Sequence, residues 1–90
     1  MRFEWDDAKR KSNIAKHGID FLLARLIFDE RPRLDIETAR GEEDRIVSIA
    51  FINERFIAVV WTERDDDLIR IISAWRARHG EERKYRQLFC

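Results

Sequence analysis

From residue 56 to 62 the chain reads FIAVVWT, with no charge, glycine or proline to break it. A segment of strand-forming residues that is apolar on both alternating faces belongs in the middle of a sheet, so the rest of the chain has to supply its neighbours. Residues 45–52 are rich in β-branched side chains, and Asn53-Glu54 supplies a tight turn into the central run. Residues 63–67 form a charged loop, after which 68–75 (LIRIISAW) make a further strand. Residues 33–37 alternate around Leu34 and Ile36. Three or four antiparallel strands in a meander are expected.

Helical patterns flank the strands. Asp6 or Asp7 suits a helix N-terminus, Lys16 and His17 suit the negative C-terminal end, and Gly18 is a natural left-handed stop. This helix has few apolar positions (Ala8, Ile14 and Ala15), so much of it faces water or a ligand. A second helix begins with Asp20 as N-cap, is apolar nearly all round through Phe28, and ends at Arg31-Pro32. Residues 80–89 form a short, charged C-terminal helix. The expected class is α+β, with the helices packed on one face of the sheet.

Ninety residues make a single domain, 1–90, with a modest core: about 60% of the unfolded surface can be buried at this size. Hydrophobic residues, at 44%, suffice for that core, while 40% charged residues give it an unusually charged skin. The lone Cys90 cannot form an internal disulfide. Arg2, Glu4, Asp6 and Asp7 do not fit a signal peptide, and no apolar run is long enough to cross a membrane, so a cytoplasmic location with no membrane partner is expected. Net charge is zero, which argues against a simple DNA-coating protein, but its distribution is uneven. Residues 1–19 have five basic and three acidic groups, residues 20–67 seven and thirteen, and residues 68–90 six and two. If the basic ends meet, they form a patch for a polyanion, leaving an acidic middle for a basic partner.

Several familiar chemistries are absent. Gly18, Gly41 and Gly80 stand alone, so there is no phosphate-cradling loop. Two distant histidines and a terminal cysteine lack zinc-ligand spacing, and Asp65-Asp66-Asp67 fits a hairpin loop better than a metal cage. No Gly-x-Ser-x-Gly elbow surrounds a serine. Neither a cofactor nor a metal is expected. Arginine placement remains. Arg70 and Arg76 share strand parity, whereas Arg64 and Arg70 are the closer pair across the 63–67 connection. Surface ion pairing with Glu63 or Asp66 is the bland alternative. The three tryptophans, Trp5, Trp61 and Trp75, are expected in the core more than on bases.

Phe3-Glu4-Trp5-Asp6, Lys9, Asn13, Lys16-His17-Gly18-Ile19 and Phe21 together resemble the opening signature of the BrnT family. The resemblance continues through Val60-Trp61-Thr62-Glu63-Arg64, the IRIISA block from Ile69, and Glu82-Arg83 with Tyr85, covering nearly the whole chain. His79-Gly80 departs from the pattern, standing where a capping Thr or Ser is expected. The resemblance implies a RelE-like fold and a ribonuclease toxin of a type II toxin–antitoxin system, arresting translation by cutting RNA. It also implies neutralisation by a BrnA-like ribbon-helix-helix antitoxin, through which the complex reaches promoter DNA. Metal-free RNA cleavage needs a deprotonated 2′-hydroxyl, a stabilised phosphorane and a protonated 5′-oxygen. Arg64 and Arg76, then Arg70, suit the phosphorane. By analogy with RelE-like toxins, Lys16, His17 or Tyr85 handle protons or position substrate. A non-catalytic domain that binds antitoxin or nucleic acid is the alternative. A stand-alone DNA-binding regulator fits less well, since no helix-turn-helix with a basic recognition helix is visible.

Overall fold

The computed structural model describes residues 1–40 and 43–90, so Gly41 lies outside them. The elements run β1 (Arg2–Glu4), α1 (Asp7–His17), α2 (Phe21–Ala24), a 3-10 turn (Arg25–Phe28), β2 (Arg33–Arg40), β3 (Glu43–Ile52), β4 (Arg55–Asp65), β5 (Leu68–Arg76) and α3 (His79–Phe89). They form one sheet in the order β1-β5-β4-β3-β2. The FIAVVWT run is the middle of β4, the central strand.

The sheet is five-stranded and mixed, not three- or four-stranded and antiparallel. β2 to β5 form the expected meander, while β1 joins β5 in parallel, Phe3 opposite Ile69. Three residues are too short to show a period, so β1 left no sequence signal. The 63–67 segment is also mostly strand: β4 continues to Asp65, and only Asp66 and Asp67 turn. The Asn53-Glu54 turn is as expected, with φ of 49° and 64°, the positive values that a two-residue hairpin needs.

Helices cover both faces, not one. Phe21, Ala24 and Ile27 bury against Ile57, Val59, Trp61, Ile69, Ile71 and Ala74 on the first face. On the second face, α3 brings Tyr85 down on Ile49 and Ala58, with Leu34, Phe56 and Trp75 around them. A central strand apolar on both sides requires this, since burying one Ile or Phe is worth about 1.5–3 kcal/mol. The second helical segment is shorter than its apolar pattern suggests. Its buried positions recur every third residue, matching the 3-10 turn, and Leu22 and Leu26 stay exposed. It stops before Pro32, where the Asp29 carboxylate bonds the Arg31 backbone and guanidinium and Glu30 takes a positive φ.

α1 is held at three points. Asp6 caps its start by accepting from the Ala8 and Lys9 amides at 2.8 and 3.3 Å. Gly18, at φ 68°, ends it by donating to the Ile14 carbonyl at 2.8 Å. Buried Asn13 fixes it to the sheet: its Nδ2 donates to the carbonyls of Ile19 (2.9 Å) and Ala74 (2.8 Å), and its Oδ1 accepts from the Ala74 amide and the Ser73 hydroxyl, both at 3.2 Å.

Candidate functional site

Two β-bulges decide which way the β4–β5 side chains face. Val60 opposes Ser73 while Trp61 opposes Ile71, so Ile72 is an extra residue on β5. Glu63 opposes Ile69 and Asp65 opposes Leu68, which makes Arg64 an extra residue on β4. Simple alternation therefore fails across Ile72. Ile69, Ile71 and Ala74 all enter the first-face core, and Arg70 points to the second face with Ser73 and Trp75. Arg76 ends β5 opposite Ile57, near the Asn53-Glu54 turn, where it borders a hollow beside Phe51 and Phe56. The shared parity of Arg70 and Arg76 does not bring them together, since Arg70 opposes Thr62 and Arg76 opposes Ile57.

On the second face, α3 covers the rows nearest the Asn53-Glu54 turn and leaves the other end open. There Val47 and Val60 floor a groove of about 370 Å³, walled by Thr38 and Arg45 at one side and Ser73, Trp75 and Arg78 at the other. Thr62 lies opposite Arg70 and donates to the Asp44 carbonyl at 2.8 Å. Continuing the β3–β4 register by one residue sets Arg45 beside Thr62, so Arg45, Thr62 and Arg70 form one cross-strand row. Two strand spacings, about 10 Å, separate the two arginine backbones. Arg70 bonds Glu4 of β1, which fixes its direction. Arg78 lies 4.9 Å over the Trp75 ring, whose Nε1–H donates to Glu81 at 3.1 Å. Glu81 also accepts from the Arg78 amide at 2.8 Å, the half of a capping box that starts α3 without the Thr or Ser expected at 79–80.

Over the edge of β5 lies a second depression of about 210 Å³, lined by Lys9, Ser12, Lys16, His17 and the same Ile72 and Ser73. β1 pairs only with residues 68–70, so at Ser73 and Ala74 the strand edge is closed by the Asn13 side chain. The basic ends of the chain thus meet along β5: Lys9, Lys16 and His17 on one side of the bulge and Arg78 on the other, with Arg70 on the same strand nearer β1. Arg10 of α1 is committed elsewhere. It grips Asp20, the α2 N-cap, at 2.8 and 3.0 Å, and this hydrogen bond holds the Asp20 carboxyl below its ordinary range against partial desolvation.

Of the six residues singled out by sequence, Lys16 and His17 border this continuous surface, and Arg70 lies in the cross-strand row of Arg45, which lines it. Arg64 lies beside Ile69 at the Asp66-Asp67 end, whereas Arg76 opposes Ile57 at the other. About seven residues at roughly 3.3 Å each put more than about 20 Å between them, too far to share one phosphate. Tyr85 is only 7% exposed and is sandwiched between Phe56 and Phe89. Trp5 and Trp61 pack edge-on to Phe21 and Phe28 in the first-face core, as expected, while Trp75 walls the groove. Arg45, Ser73 and Arg78 line the groove but were not among the six candidates. Arg45 had a usable signal, since it alternates with Val47 and Ile49; Ser73 had none until the bulge was located. Among the described residues, no group of three His, Cys, Asp or Glu side chains converges on a common point, and no helix is long and apolar enough to cross a membrane.

A search of curated protein sequences finds no match. The structure is similar to the crystal structure of the Brucella abortus ribonuclease toxin BrnT, with a TM-score of 0.68 and 29% identity, over 88% of this chain and 99% of that one. The model of the family described as ribonuclease toxin, BrnT, of type II toxin–antitoxin systems matches residues 5–81. With the match spanning α1 through the start of α3, the chain belongs to the BrnT family of ribonuclease toxins.

Proposed function

We propose that this chain is a metal-independent endoribonuclease that arrests translation in the cytoplasm, and that its cleavage centre sits at the Ile72–Ser73 bulge. The observation that carries the reading is the continuity of the two depressions through those residues. An RNA strand laid in the groove meets guanidinium groups on one side of the bulge and Lys16 and His17 on the other. Arg70 and Arg45, flanking Thr62, suit the scissile phosphate, because planar guanidinium donors stabilise the charge gathering on phosphorane oxygens. Lys16 and His17 suit the two proton transfers, one taken from the attacking 2′-oxygen and one given to the departing 5′-oxygen. The bond made is 2′-O to phosphorus and the bond broken is phosphorus to 5′-O, so the step is redox-neutral, and the guanidinium groups take the charge-stabilising role a metal would otherwise fill. Arg64, Arg76 and Tyr85 lie outside this centre.

The helices on both faces of an antiparallel-centred sheet support a RelE-like reading of the fold. Family membership supports a cognate antitoxin, which we take to be a ribbon-helix-helix protein that also carries the complex to promoter DNA.

Inducible expression of the chain, with growth and bulk RNA followed together, tests the proposal. Native chain should stop growth and degrade RNA. A Lys16→Met/His17→Gln variant of equal abundance and fold should lose cleavage by about 10²–10⁴, and an Arg64→Ala/Arg76→Ala variant should retain it. The reverse pattern would move the centre to the sequence-nominated arginines. A soluble native chain with no effect would make a non-catalytic binding domain the better account.

A further inference from the structure

At the opposite end of the second face, four aromatic rings form a chain from β3 to the last turn of α3. Phe51, Phe56, Tyr85 and Phe89 follow one another with centroids 4.8, 5.3 and 4.9 Å apart. The inner two are covered, but Phe51 and Phe89 are 45% and 41% exposed, and Leu88 beside Phe89 is 60% exposed. Such a cluster of exposed large side chains is costly on a monomer surface and marks a contact. Next to Phe51 and Phe56 is a hollow of about 230 Å³, rimmed by Arg55, Arg76 and Arg86. Arg86 is spent on Glu82 at 3.1 Å and on the Phe56 ring at 4.8 Å. Among the described residues, Arg55 and Arg76 have no partner, and the hollow offers them one unpaired carboxylate, Glu54.

We infer that this strip is the docking surface for an acidic amphipathic segment of the cognate antitoxin. A bulky apolar side chain enters the hollow against Phe51 and Phe56, its carboxylate neighbours meet Arg55 and Arg76, and further apolar residues follow the strip to Leu88 and Phe89. Charge selects the occupant. A second copy of this chain, related by a two-fold axis through the strip, would bring Arg55 and Arg76 against their own images, whereas an acidic segment neutralises both. The inference rests on the toxin reading for the identity of the partner, but the surface is separate from the cleavage groove. Anchoring here leaves the groove to be blocked by another part of the antitoxin.

The test uses purified full-length chain and the antitoxin encoded beside it, with affinity, growth rescue and RNA cleavage measured on the same variants. Phe51→Ser/Arg55→Glu should weaken antitoxin binding by about a hundredfold, as loss of an anchor does. It should keep RNA cleavage and growth arrest, and escape rescue by co-expressed antitoxin. Phe89→Ser, at the other end of the strip, gives a second reading should the first variant fold poorly. Unchanged affinity in folded variants would overturn the inference. So would a dimer of the chain that Phe51→Ser dissolves without touching antitoxin binding. If antitoxin binding falls as expected but the native chain cuts no RNA, the surface stands and the ribonuclease reading is what fails.

Discussion

Asn13→Ala puts a figure on the joint between α1 and the sheet. Asn13 is 6% exposed, and its amide meets three backbone groups that have no helix or strand partner of their own at that edge: the Ile19 carbonyl and the carbonyl and amide of Ala74. The fourth partner, the Ser73 hydroxyl, can rotate to water. Leaving a buried backbone group without its partner costs about 1–3 kcal/mol. Three such groups, with some water admitted into the space left by the side chain, put the loss at about 3 kcal/mol. A domain of this size has roughly 5–13 kcal/mol in total, and each kcal/mol lowers Tm by about 4–8 °C, so a fall of about 12–24 °C is expected. Asn13→Asp sharpens the test, because it keeps the shape but places a carboxylate oxygen where Nδ2 donates to two carbonyls. At neutral pH it should cost at least as much as alanine, and the deficit should shrink in acid as the carboxyl gains a proton to donate. Urea unfolding followed by the fluorescence of Trp5, Trp61 and Trp75 measures both variants. A loss below about 1 kcal/mol for Asn13→Ala, or an Asp variant as stable as native at pH 7, would refute the argument that this one side chain closes the β5 edge.

Other perturbations separate packing from chemistry. Tyr85→Phe should leave stability and RNA cleavage near native, while Tyr85→Ala should cost about 3–5 kcal/mol in denaturant unfolding through the emptied core; a folded Phe variant without cleavage would return the hydroxyl to the chemistry. Gly18→Ala meets no atom within 4 Å but must hold a φ of 68°, so it should cost about 1–2 kcal/mol by the same assay, from the backbone alone. Asp20 and Asp29 both lie below the ordinary carboxylate range, held there first by hydrogen bonds from Arg10 and Arg31. A lowered carboxyl contributes stability that is full above its unfolded value of about 3.9 and is lost as pH falls through the folded value. Tm should therefore drop below about pH 4, and the gap between native and Asp20→Asn, which keeps the cap but not the charge, should close over the same range.

Much of the fold was legible because it rests on local chemistry. The FIAVVWT run, the Asn53-Glu54 turn, the Gly18 stop and the Asp6 and Asp20 caps each declare themselves through one or two residues, and each is where its residue types require. The failures have a common physical origin in tertiary pairing. β1 exists because Phe3 and Glu4 find Ile69 and Arg70, sixty-six residues away, not because three residues prefer a strand. The second helical segment tightens to 3-10 because it must put Phe21, Ala24 and Ile27 onto one sheet face. Its exposed Leu22 and Leu26 look like core only in the sequence.

The site was less legible, and for a narrower reason. Counting residues along 68–76 assigns faces correctly only up to Ile71, since nothing in IRIISAWR announces that Ile72 has no partner on β4. That single unpaired residue turns Ser73 and Trp75 to Arg70's side and opens the strand edge at which Asn13 fastens α1. The bulge therefore does two things at once. It decides which cations share a surface, and it sets the helix that carries Lys16 and His17 against them. A register that long-range pairing imposes cannot be read from spacing. For that reason the lysine and histidine marked by the helix C-terminus share a surface with Ser73, while the arginines chosen for their positions at strand ends lie at opposite ends of the sheet.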